Sequence, residues 1–131
     1  MKKILLIIAL IFTTIVAFSQ ARLGSSATEI KSEFSGSHYK LIGDYTNDKT
    51  YYIGITTERA TVLYYFNSDM ICNRTLIVPN NQGALNYYVE LYNKHYVIIN
   101  STRWKMYSAG GIANIELFYP QDGGYCFVWS D

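Results

Sequence analysis

From residue 38 to residue 78 the chain passes through four short runs rich in Tyr, Ile, Val and Thr, separated by only a few residues of turn chemistry. A parallel neighbour needs a crossover of about a dozen residues or more, so these runs must form an antiparallel sheet. "HYKLIGDYT" alternates, with Tyr39, Leu41, Gly43 and Tyr45 on one side, and "TNDK" turns the chain. "TYYIGITT" puts Tyr51, Ile53 and Ile55 on one face; Glu58 and Arg59 sit in a tight connection before "ATVLYYF". "NSD" at 67–69 makes the next turn, and "MICNRTLIV" runs until Pro79 closes it.

Two segments break this period-two pattern. In "GSSATEIKSEF", Ser26 stands three residues before Glu29, the spacing of a capping box, and Ala27, Ile30 and Phe34 recur along one helical face. Gly36 suits a left-handed cap. In "PNNQGALNYYVELYNKHY", Leu85, Tyr88, Val89, Tyr92 and Tyr96 make the apolar stripe of a second helix. Asn80 or Asn81 can cap its start, while Lys94 and His95 suit the negative end of its dipole. Three further strands are expected: "YVIINSTRWKMYS", "IANIELFY" and, after the hairpin signal "PQDGG", "YCFVWSD". The expected fold is α+β: two short helices packed on an antiparallel sheet, in the order helix, four strands, helix, three strands. The two halves repeat a pattern, an amphipathic helix followed by a meander, without repeating residues.

The first residues read as an export signal. Lys2 and Lys3 precede an uncharged apolar run from Ile4 to Phe18, shorter than the ~20 residues a spanning helix needs. Small residues then allow cleavage after Ser19 (Ala17 and Ser19) or after Ala21 (Ser19 and Ala21). Residues 1–19 are therefore expected to be removed, leaving 20–131 as one domain in the periplasm or outside the cell. No cysteine ends the apolar run, so a lipoprotein is not expected, nor any membrane association after cleavage. Without Lys2 and Lys3 nine cations face ten acids, and the mature net charge is −1. Nucleic acid and anionic membrane surfaces require clustered positive charge and are not expected partners. All 13 tyrosines lie in the mature part.

Gly24-Ser25-Ser26-Ala27-Thr28-Glu29-Ile30 follows the pattern Gly, any residue, hydroxyl residue, two free positions, Glu, aliphatic. This resembles the helix start of the β-lactamase-inhibitor-protein-like domains and the related small outer-membrane assembly lipoproteins of bacterial envelopes. The resemblance covers about a dozen residues and the order of elements. It implies an exported, non-catalytic domain that binds another protein, and it carries no functional residue beyond this helix start.

No constellation points to catalysis. His38, Cys72, His95 and Cys126 are scattered without the local pair of a zinc site, so neither metal nor cofactor is expected. Cys72 lies in a strand, sharing a face with Leu76 and Val78, where a buried thiol is inert. Most carboxylates occupy caps, turns and a helix surface, and Glu116 lies mid-strand facing away from the apolar side, which leaves little for a catalytic pair. Two readings of the cysteine pair stay open: a disulfide between Cys72 and Cys126, or two thiols. Asn73-Arg74-Thr75 and Asn100-Ser101-Thr102 match a glycosylation pattern by chance within strands.

The strand aromatics are the remaining signal. Tyr and Trp give large contact area at small entropic cost. Tyr52, Tyr64, Trp104, Tyr107 and Trp129 are the candidate binding residues, although adjacent aromatics such as Tyr64 and Tyr65 must point to opposite faces. The expected function is non-enzymatic recognition of a protein partner. A glycan or cell-wall module using exposed Tyr and Trp comes second, and a small hydrolase third.

Overall fold

The computed structural model describes residues 21–35, 40–108 and 110–131. The expected export segment 1–19, the expected cap at Gly36 and the first expected strand position, Tyr39, lie outside them. Helix α1 (Ala27–Glu33) is followed by β1 (Lys40–Tyr45), β2 (Tyr51–Thr56), β3 (Ala60–Phe66) and β4 (Cys72–Pro79). Helix α2 (Gln82–His95) leads into β5 (Val97–Asn100), β6 (Arg103–Ser108), β7 (Gly111–Phe118) and β8 (Cys126–Ser130). All eight strands form one antiparallel sheet in the order β1-β2-β3-β4-β8-β7-β6-β5. Each half is a helix and a four-stranded meander, and the last strands of the two meanders, β4 and β8, join them.

Four strands therefore follow α2, not three. The segment expected as one strand from Tyr96 to Ser108 turns back at Ser101 and Thr102. The Asn100 side chain accepts from the Thr102 amide at 3.0 Å and from its hydroxyl at 3.2 Å, an Asx turn that closes the β5–β6 hairpin. Ile98 and Trp104 still share a side, because the hairpin places them opposite each other.

The helix termini follow their local chemistry. Ser26 Oγ accepts from the Glu29 amide at 3.1 Å while Glu29 reaches back to the Ser26 amide, completing the capping box. Asn81 caps α2 by accepting from the Ala84 amide at 2.8 Å. At the β7–β8 turn, Gly123 and Gly124 adopt φ of 98° and 86°, a region costly for residues with a side chain.

Both helices lie on one face of the sheet. Ile53, Ile55, Val62, Tyr64, Phe66, Ile77, Ile115, Phe127 and Trp129 point at them and are buried. Ile30 anchors α1, and the Phe34 ring stacks on Tyr64 with centroids 6.2 Å apart. Helix α2 buries Leu85, Tyr88 and Tyr92; Tyr92 meets Phe127, Trp129 and Trp104 edge-on at 5.0, 5.6 and 5.7 Å. Such pairs contribute about 0.5–1.5 kcal/mol each beyond area burial. The indole N–H groups are satisfied by α2: Trp104 donates to Asn93 Oδ1 at 2.8 Å and Trp129 to the Tyr92 hydroxyl at 3.3 Å.

Candidate binding face

Among the described residues, the other face of the sheet carries no helix. Strand register orders its side chains into rows. One row runs Asp44, Tyr52, Tyr65, Arg74, Ser130, Asn114, Lys105 and Val97 across all eight strands. The next runs Ile42, Gly54, Leu63, Leu76, Val128, Glu116 and Arg103. A third holds Lys40, Thr56, Thr61 and Val78 on one half and Cys126 beside Phe118 on the other.

The middle row is an aliphatic strip. Gly54 makes it continuous: a Cβ there would meet Ile42 at 3.1 Å and Leu63 at 3.2 Å, so its absence lets these side chains close over β2. Ile42, Val78 and Phe118 are exposed, and Leu63, Leu76 and Val128 are half-buried. The row ends in an ion pair between Arg103 and Glu116 at 3.4 Å. In the first row the Arg74 guanidinium lies 4.8 Å from the Tyr65 ring centroid, and Tyr65 lies 5.9 Å from Tyr52. The face gathers four cations, Lys40, Arg74, Arg103 and Lys105, against the acids Asp44 and Glu116. Tyr65, Arg74 and Ser130 also border an open cleft of about 740 Å³ at the end of the strands, which Tyr45, Lys49 and Asn67 line as well.

Of the residues expected to bind, Tyr52 and Tyr107 lie on this face. Tyr107 is 58% exposed opposite Ile112. Five strand steps separate Tyr52 from Tyr107, about 24 Å at the usual strand spacing, so the sheet does not bring them together. Tyr64, Trp104 and Trp129 are corrected to core residues, 1%, 1% and 2% exposed beneath the helices. Even-numbered positions of β3 face α1, so Tyr65, not Tyr64, reaches the surface. Sequence reasoning missed the Tyr65–Arg74 stack and the strip of Leu63, Leu76 and Val128. The burial-compatible set Val62, Tyr64 and Phe66 was the signal that could have assigned the odd positions to the outside.

The disulfide is likewise excluded. Both cysteines are free thiols, and they point to opposite sides of the sheet: Cys72 is buried on the helix side, and Cys126 lies half-buried on the open face. A bulge between Cys72 and Arg74 shifts the parity of β4. Cys72 therefore shares its side with Thr75 and Ile77 and not with Leu76 and Val78 as expected. Burial pushes both thiols up, which disfavours the nucleophilic thiolate. Among the described residues no three His, Cys, Asp or Glu side chains gather as a cation site. None of their helices is long and apolar enough to cross a membrane. Compared with models of protein families, with curated proteins and with solved structures, the chain matches none.

Proposed function

We propose that the protein is an exported, non-catalytic binding domain that recognises another protein through the open face of its sheet. The observation that carries this reading is the aliphatic strip from Ile42 to Val128, which neither described helix covers, edged by cations on a chain whose mature charge is −1. An apolar centre with a charged rim is the usual anatomy of a protein interface, and Tyr65 stacked under Arg74 supplies the residue types that most often anchor one. The complementary partner surface is apolar at its centre and carries carboxylates around it. The helix start at Gly24–Ile30, with its likeness to envelope binding domains, supports the same reading.

The test is capture from envelope extract with immobilised protein. The wild type should retain a discrete protein, and Tyr65→Ala with Arg74→Ala should lose it at an unchanged melting temperature. Equal capture by the double variant would refute the assignment. The glycan alternative is left with Tyr52, Tyr65 and Tyr107, since both tryptophans are in the core. Retardation on a polysaccharide gel, abolished by Tyr52→Ala, would favour it instead.

A further inference from the structure

We infer that the mature chain begins at Gln20, the export signal being cut after Ser19 and not after Ala21. The inference rests on the export reading and decides between two bonds that both satisfy the small-residue requirement. Ala21 is 4% exposed and belongs to the core. Its carbonyl accepts a hydrogen bond from Thr75 Oγ, and Thr75 is fully buried on β4 between Tyr64 of β3 and Trp129 of β8. Arg22 pairs with Glu33 and lies 5.6 Å from the Phe34 ring centroid. The Gly24 amide donates to the Cys72 carbonyl at 2.8 Å, the Cys72 amide to the Ser25 carbonyl at 2.8 Å, and the Ala27 amide to the Met70 carbonyl at 3.0 Å. Residues 21–27 are thus a strap laid along the start of β4, built into the domain from its first described residue.

A cut after Ala21 removes the buried methyl group and the acceptor of the Thr75 hydroxyl, which then keeps only Cys72 Sγ at 3.4 Å. A buried hydroxyl left without a good partner destabilises the fold. The same cut creates an ammonium on Arg22 where the strap joins the core, and charge at such a position is costly. A cut after Ser19 keeps Ala21 whole and places the new charge on Gln20, ahead of the Ala21 amide.

The experiment is intact-mass measurement of the full gene product recovered after export from a bacterial host. A start at Gln20 is expected, loss of ammonia from an N-terminal glutamine counting as the same start. A start at Arg22 overturns the inference and leaves export standing. A chain still beginning at Met1 ends the export reading and the inference with it. Ala17→Glu, in the segment that either cut removes, separates the two bonds independently. It should block processing if Ala17 and Ser19 define the site, and unchanged processing would overturn the assignment.

Discussion

Tyr64 and Tyr65 are neighbours in the chain, yet Tyr64 stacks under α1 with Phe34 while Tyr65 lies on the opposite face between Tyr52 and Arg74. The same division runs through the whole sheet. On the covered face the aromatic rings are fixed by two helices and their polar tips find partners, as Trp104 does with Asn93. On the open face the apolar groups form rows with cations at their margins, and neither described helix lies above them. Composition alone does not separate the two sides, because both hold tyrosines and aliphatics. What separates them is which rings meet a helix.

The largest difference between the faces should appear in stability. Trp104→Ala removes a fully buried indole and should cost about 3–5 kcal/mol in chemical denaturation. Tyr107→Ala, on the open face, should stay within about 0.5 kcal/mol. Similar losses at both positions would break the comparison.

Alkaline pH should load the covered face next. Burial pushes the phenols of Tyr64 and Tyr92 well up and that of Tyr96 up to about 12, from an ordinary value of 10.0. The folded state holds these protons more tightly than the unfolded chain. Their contribution to stability is therefore complete below pH 10 and is lost as pH rises through the folded values. Melting temperature should fall from about pH 10 upward, and Tyr96→Phe should reduce the slope. A flat profile to pH 12 would contradict the burial of these phenols.

The cysteines give a gentler probe of the two sides. Under native conditions a thiol reagent should modify Cys126 first and slowly at neutral pH, because burial raises both thiols. Cys72 should react only when the protein unfolds, and reductant should leave the melting temperature unchanged. Equal native reactivity would mean that Cys72 is not sealed on the helix side.

Much of this architecture was legible in the sequence. Ser26 and Glu29 predicted the α1 cap, the stripe through Leu85, Tyr88 and Tyr92 predicted α2, and the short turns predicted antiparallel pairing. Three things were not. The Asn100 turn looked like strand because Ile98, Ile99 and Trp104 surround it. The bulge at Cys72 reverses parity through a backbone irregularity that no residue type announces. The choice of face for Trp104 and Trp129 depends on where α2 docks over β6 and β8, a long-range contact. For that reason the binding set expected from aromatic content was three-fifths core, and its replacement centres on Tyr65 and Arg74.

The central claim is that the open face is the side that meets a partner. Site-specific photo-crosslinking in envelope extract tests it most directly, with the crosslinker replacing Tyr52 or Tyr107 on the open face and Tyr87 on the helix side. Tyr87 is also solvent-exposed, lying 4.1 Å from the Arg59 guanidinium, so accessibility does not favour either side. The account predicts a discrete protein adduct from an open-face position and none from Tyr87. An adduct from Tyr87 alone would place recognition on the helix layer and contradict it.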